Sequence, residues 1–377
     1  MTAANEASGG RKRVRYAVVG LGWIAQAAML PAFANAADNS ELVALVSDDA
    51  EKREQLGEHY SVTHRYSYAQ YDECLSSGAV DAVYIALPDP MHREYTVRAA
   101  QAGVHVLCEK PMAVTAEDCA AMIDAAREHN IKLMIAYRLH FDASNMRAVE
   151  IVQSGRLGEP RIFSSTFSQQ MAADNFRVRP GMSDGTLYDI GIYCINAARY
   201  LFQAEPTEAL AMVGSGTDPR FGAVEEMVSA TLRFPGERLA QFTSSFGAAF
   251  TASYQVIGTK GDLRVDPGYG GGLAHHYLTI AGKTEQQTYP AGDHFGPQLR
   301  YFSDCILGGR EPEPSGLEGM IDVQIIEALY QSAREGRPIA LNLPHPAQRP
   351  GLSQALFCPP VEAKRLVNTK PPTATSD

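Results

Sequence analysis

Cysteine is scarce and scattered: six residues in 377, at positions 74, 108, 119, 194, 305 and 358, with no CxxC spacing and no histidines in zinc order. A disulfide framework and a zinc module are excluded, and the pattern reads as the reduced thiols of a cytoplasmic protein with no metal site. Long apolar runs are missing too. No window approaches the roughly 18 consecutive apolar residues of a membrane span, and there is no internal repeat. The opening MTAANEASGGRKR has no apolar core, so residues 1–13 read as a flexible segment rather than a secretory signal. Basic charge is in deficit, with 33 Lys and Arg against 43 Asp and Glu and a net charge of −10. That balance argues against nucleic acid or an anionic membrane surface as a partner. The early basic cluster of Arg11, Lys12, Arg13 and Arg15 precedes the first strand and reads as a solvated lead-in.

What remains is the make-up of a globular protein, 45% hydrophobic and 20% charged, in a chain too long for one ordinary core. Two domains are expected. The first announces itself in VRYAVVGLGWIA, where a Val-rich strand runs into Gly20-Leu21-Gly22-Trp23-Ile24-Ala25 and a helical stretch follows to about Ala36. This is a GxGxxA turn in the setting it requires, strand before and helix after. Gly20 permits the tight turn, Gly22 lets backbone approach a pyrophosphate at the helix N-terminus, and Ala25 keeps the helix close to the strand. The next strand, ELVALVSD, ends at Ser47-Asp48-Asp49, where a dinucleotide fold places the residue that reads the ribose. Asp48 suits the two ribose hydroxyls of NAD, whereas Ser47 with Lys52 suits the 2′-phosphate of NADP. Both chemistries are present.

Strands and helices then alternate for some 140 residues, the pattern of a doubly wound parallel sheet. AVDAVYIALP is broken at Pro88-Asp89-Pro90, with Met91 and His92 in the loop, and KLMIAYRLHF reads as the closing strand. Between them lies HVLCEKPMA, residues 105–113: a buried strand ending at Glu109-Lys110-Pro111. A lysine on the carboxyl lip of such a strand sits in the crevice where open α/β sheets bind ligands, and Pro111 stiffens the turn that aims it. With a lowered pKa it would serve as an acid or base. The plain alternative is a strand-end salt bridge.

Beyond Phe141 the rhythm changes. After a helix from about Ala143 to Ser154, six alternating segments (RIFSSTFSQQ, ALAMVGSGT, EEMVSATLRFP, LAQFTSSFG, YQVIGTKGDLRV, HYLTIAG) predict a mostly antiparallel sheet with one buried face. The segment TLYDIGIYCINAARYLF reads as a helix carrying Asp189 and Tyr193 four residues apart on one face. These are either an N-terminal helix carboxylate and a core tyrosine, or, if the helix covers the crevice, partners of Lys110 around a small polyol. A last helix runs from about Leu317 to Glu335. Residues 341–377 are Pro-rich and read as a tail, extended or wrapped over a neighbour.

Taken together, VVGLGWIA, VYIALPDPMH, HVLCEKPMA, KLMIAYRLHFD, DGTLYDIGIYCINAARYL and EGMIDVQIIEALYQSAREGRPI make the chain resemble the Gfo/Idh/MocA group of oxidoreductases over residues 14 to about 340. Within that group it is most similar to the glucose-fructose oxidoreductase branch, through Tyr193 and the stretch SDDAEK. The resemblance implies an α/β chain: an N-terminal Rossmann domain (14–142), then an α/β domain (143–340) whose large, mostly antiparallel open sheet packs against another subunit as a homodimer or homotetramer. It further implies Lys110, Asp189 and Tyr193 as catalytic residues. Gly20, Gly22, Trp23, Ile24, Ser47, Asp48, Lys52, Leu87, His92, Glu109, Lys110 and Arg138 would surround the nicotinamide cofactor. Ser47 and Lys52 lean the choice to NADP(H), with NAD(H) open through Asp48. The expected reaction moves hydride between cofactor and a sugar or polyol, either with tightly held nucleotide in a sugar-to-sugar cycle or with free exchange. The rivals are a dinucleotide-binding redox sensor without catalysis, or same-fold chemistry on an inositol, anhydro-sugar or dihydrodiol. Phe176, Arg177, Tyr269 and His294 would face the substrate.

Overall fold

The computed structural model describes residues 12–179, 185–222, 224–362 and 366–373. Among them two sheets organise the chain. The first contains β1 (Val14–Val19), β2 (Ser40–Val46), β3 (His64–Tyr66), β4 (Ala82–Ile85), β5 (His105–Cys108) and β6 (Leu133–Ile135), all parallel, in the order β3-β2-β1-β4-β5-β6. Strand order reverses between β1 and β4, which opens a crevice at their carboxyl ends. β4 is buried throughout and β5 nearly so, the near-continuous apolar run of a sheet covered on both sides. Asp49 caps the helix Ala50–His59 through the Lys52 N–H, and Thr115 caps Ala116–Glu128 through the Asp118 N–H.

The second sheet is built from β7 (Pro160–Ser168), β8 (Glu208–Gly214), β9 (Met227–Phe234), β10 (Arg238–Ser245), β11 (Thr251–Gly258), β12 (Gly261–Asp266), β13 (Ala274–Ile280), β14 (Lys283–Tyr289) and β15 (Ile339–Ala340). Its order is β14-β13-β12-β11-β7-β10-β9-β8-β15, antiparallel except where β7 runs beside β10. One face packs on the helices Ile192–Phe202 and Gly316–Glu335. The other carries exposed Ile162, Leu210, Met212 and Met227. The helix Gly316–Glu335 also docks on the first domain: a Cβ at Gly319 would fall 2.9 Å from Met112 and from Ile135, so glycine is what lets it seat so close to the HVLCEKPMA turn.

Four local expectations change. KLMIAYRLHF stays a strand only to Ile135; Arg138–Phe141 tightens into a 3₁₀ turn that swings Arg138 into the crevice. YQVIGTKGDLRV divides at Thr259-Lys260 into the hairpin β11–β12. β14 escapes the alternation test because six of its seven residues are exposed, leaving no apolar face to read. The helix Phe295–Gly308 is hidden by Gly296 and Pro297, yet proline is tolerated in a first turn, where its missing N–H has no partner to lose. That helix buries Leu299 and Phe302 against β1 and β2, with the Tyr16 hydroxyl 2.8 Å from Ser303 Oγ. The described residues of the tail pack on their own chain: Val367 is buried in the core cluster that contains Val14, Tyr16 and Val18. No helix among the described residues is long and apolar enough to cross a membrane.

Candidate active site

The crevice at the β1/β4 switch opens into a cleft of about 780 Å³ between the two domains. At its floor Gly20 has φ +92°, and a Cβ there would lie 2.4 Å from the Ala86 carbonyl oxygen, so only glycine makes this turn. At Gly22 a Cβ would meet nothing within 4 Å; it would project into open space above the first helical turn. An open cradle beside unpaired helix N–H groups is what a pyrophosphate needs, and the residues present therefore fit a dinucleotide. Trp23, Ile24, Leu87, Ser47 and Lys52 line the same cleft. Asp48 does not. It is exposed, and its carboxylate accepts from the Tyr68 N–H at 2.8 Å. Ser47, by contrast, is 4% exposed and faces inward with Lys52.

His92 is wholly buried, its Nδ1 2.9 Å from the Pro111 carbonyl oxygen and its Nε2 2.9 Å from that of Leu87. It ties the β4 loop to the lysine turn. Burial holds its pKa below the ordinary histidine value, against the pull of those carbonyls. Glu109 accepts the Tyr84 hydroxyl at 2.6 Å, and burial pushes its carboxyl upward.

Lys110, Asp189 and Tyr193 come together from two domains. The Lys110 ammonium donates to the Asp189 carbonyl at 2.8 Å, lies 3.3 Å from Asp189 Oδ1, and stands 5.1 Å from the centre of the Tyr193 ring. Asp189 lies on a π-helical turn, Leu187–Gly191, that feeds the helix bearing Tyr193. The second oxygen of Asp189 meets Arg177 Nε at 2.9 Å. Burial works to raise the Asp189 pKa, but Arg177 and Lys110 outweigh it and hold the carboxyl below the usual aspartate range. For Lys110 burial works to lower the pKa, and the charges of Tyr193, Asp189 and Glu109 reverse it; the result is raised, not lowered. The lysine is thus a held cation in this geometry rather than a ready base.

Arg138 also stands over Tyr193, its guanidinium carbon 5.5 Å from the ring centre. It donates to the Tyr269 carbonyl at 2.7 Å and to His294 Nδ1 at 2.8 Å. His294 Nε2 in turn faces Asp142 Oδ1 at 3.3 Å. Because arginine can only donate, Nδ1 is the accepting nitrogen and the ring proton sits on Nε2, toward Asp142. This run from Asp142 to Arg138 had no sequence signal beyond the separate residues, which lie on three elements.

Two features escaped sequence reasoning. The Arg177–Asp189 pair joins a loop and a helix with no spacing to reveal it. The tail also enters the cleft, where Pro360, Val361, Pro371, Pro372 and Thr373 form part of its wall. Among the described residues no His, Cys, Asp and Glu cluster could hold a metal ion.

Fold and cleft together define a class: a two-domain protein of the dinucleotide-binding type with a Lys–Asp–Tyr cluster facing the cradle. Comparison with known proteins agrees. Residues 14–137 match the Gfo/Idh/MocA oxidoreductase family, NAD-binding Rossmann fold, and residues 145–264 match the Gfo/Idh/MocA C-terminal domain. The D-xylose 1-dehydrogenase [NADP(+)] of Haloarcula marismortui is 31% identical, the match covering 87% of this chain and 93% of that protein. The 1,5-anhydro-D-fructose reductase of Ensifer adhaerens is also 31% identical over 86% of this chain and 97% of its own length. Among solved structures, aldose-aldose oxidoreductase from Caulobacter crescentus, complexed with glycerol, superposes with a TM-score of 0.84 at 39% identity, covering 88% of this chain and 100% of that one. The chain belongs to the Gfo/Idh/MocA oxidoreductase family.

Proposed function

We propose that the protein is an NADP(H)-dependent oxidoreductase of sugars or closely related polyols, interconverting a CH–OH group and a carbonyl. The observation that carries this reading is the meeting of Lys110, Asp189 and Tyr193 in the cleft that also contains the Gly20–Gly22 cradle. NADP(H) is supported by Ser47 and Lys52 facing inward while Asp48 is engaged elsewhere, and by the NADP-named relatives. When bound, the nicotinamide supplies a hydride donor or acceptor.

Gly22, Trp23 and Ile24 would hold the pyrophosphate side, Ser47 and Lys52 the ribose phosphate, and Leu87, Glu109 and Arg138 the walls around the ring. The Lys110 ammonium would donate to the reacting oxygen and stabilise negative charge there, while the Tyr193 hydroxyl passes the proton. Asp189 fixes the lysine and accepts from a neighbouring substrate hydroxyl. For a pyranose the oxidised product is a lactone. A redox sensor without catalysis would have no use for this assembled trio, which favours the enzyme. The anhydro-sugar reductase and the dihydrodiol dehydrogenases among the relatives keep related substrates within the same chemistry. We further propose that the open face bearing Leu210 and Met212 packs against a second copy, giving a dimer or dimer-based tetramer. Six buried free thiols support a reducing, cytoplasmic setting.

The test is a panel of aldoses, ketoses, inositols and anhydro-sugars with NADP and with NAD, following nicotinamide absorbance. Turnover on one or more sugars with NADP preferred is expected. Nucleotide binding with no turnover on any member would favour the sensor.

A further inference from the structure

Part of the wall of the cleft described above comes from the C-terminal tail. Residues Leu366–Thr373 cross the mouth of the dinucleotide cleft and attach on both of its sides. On the first domain, Val367 donates its N–H to Gln26 Oε1 at 2.7 Å and accepts from Gln26 Nε2 at 3.0 Å. Gln26 lies one residue beyond the GLGWIA turn, is 1% exposed, and finds its other bond at the Leu21 carbonyl. A buried amide whose oxygen is met by a tail N–H is a built contact, because a buried polar group left unpaired is costly. Next along, Asn368 Nδ2 reaches Asp49 Oδ2 at 3.2 Å and Glu51 Oε2 at 2.9 Å, on the helix that follows Ser47. On the second domain, the Pro372 carbonyl accepts from the Ala172 N–H at 3.1 Å, Thr373 bridges to Met171, and Lys370 pairs with Asp174 at 3.2 Å.

We propose that this segment is a strap forming the outer wall of the nucleotide site, so that a bound nicotinamide dinucleotide exchanges only when the strap lifts. The inference rests on the reading of the cleft as an NADP(H) site. The two attachments lie on opposite banks, and Pro371, Pro372 and Thr373 face the space between them. Two consecutive prolines give that stretch a stiff, extended backbone, suited to spanning rather than filling a gap. Because the strap belongs to the same chain as the site, enclosure needs no second subunit.

The experiment measures nucleotide, not turnover. Full-length protein is loaded with NADP, freed of unbound nucleotide, and mixed with excess thio-NADP; release is followed by absorbance and by nucleotide content after denaturation. Two variants are compared: a chain ending at Glu362, and Asn368→Asp, which sets a third carboxylate against Asp49 and Glu51 while leaving the fold and the catalytic groups in place. Release at least tenfold faster in both, with the wild-type rate independent of the amount of competitor, is the expected result. Equal release rates in wild type and Asn368→Asp, with NADP still bound, would overturn the strap. So would tighter binding by the shortened chain, which would make the segment an occluding plug. Failure of any nicotinamide nucleotide to bind the wild type would instead overturn the reading of the cleft, and the strap with it.

Discussion

Arg177 Nε and Lys110 Nζ share a single buried acid: Asp189 Oδ2 lies 2.9 Å from the first and Oδ1 3.3 Å from the second. The lysine and aspartate side chains are only 13% and 14% exposed. At that depth neither partner is neutralised by solvent, so each cation competes for the carboxylate and sets the charge of the other. Arg177 works to lower the lysine pKa, while Asp189 works to raise it.

Replacing Arg177 with Met should therefore move both limbs of the pH–rate profile upward. Asp189 loses a cation that keeps its pKa down, and Lys110 loses a repelling neighbour and holds its proton to higher pH. A pH profile of kcat/KM checks this; a profile that merely drops in height, with unmoved limbs, would mean that Arg177 only shapes the pocket.

Lys110→Met should lower kcat by about 10²–10⁴, the range spanned by loss of a positioned proton-handling group, with Kd for NADP nearly unchanged. The same loss is expected of Tyr193→Phe, which keeps the ring beside Lys110 and Arg138 and removes only the hydroxyl. Single-turnover kinetics with calorimetric nucleotide binding separates the two effects. Undiminished turnover in Lys110→Met would end the proposed mechanism.

Cofactor choice should depend on Lys52 and not on Asp48. Lys52→Met is expected to weaken NADP about tenfold, or about 1.4 kcal/mol, and to leave NAD almost untouched. Asp48→Asn keeps an acceptor for the Tyr68 N–H and should shift neither. Binding titrations with both nucleotides decide the point, and a gain of NADP affinity in the Lys52 variant would contradict it.

Asp142 couples the site to stability at low pH. Burial works to raise its pKa, but the hydrogen bond from His294 and the Asn145 donors bring it down to about 2. A carboxyl depressed on folding contributes stability that is fully present above its unfolded value near 3.9 and is lost as pH falls through the folded one. Asp142→Asn retains the helix cap and removes the charge. Wild type should exceed the variant by about 2 kcal/mol at neutral pH, a depression of this size converted at 1.36 kcal/mol per unit. The advantage should shrink between about pH 4 and pH 2. Chemical denaturation across that range tests it; a constant difference would show that the loss is steric.

How much of this was legible beforehand differs from place to place, for physical reasons. Gly20 and Gly22 announced themselves because a short local turn needs those residue types at that spacing, and the strand and helix on either side are local as well. The alternating segments of the second sheet were visible wherever one face is buried, and β14, with no buried face, was not. Lys110 is legible from its strand-end position, but its charge state is not, because the opposing acid arrives from a segment 79 residues away.

The sequence by itself determined the alternation of strands and helices, the cradle, and the residue types able to carry proton and phosphate chemistry, because each depends on neighbours a few positions apart. Only the tertiary structure decided which of Ser47 and Asp48 faces the cleft and that Arg177 shares Asp189 with Lys110. It alone also decided that Phe295–Gly308 covers the first sheet and that the tail returns to Gln26. Those outcomes depend on contacts between distant segments, where burial and charge are set by whatever folding brings alongside, and no periodicity along the chain records them.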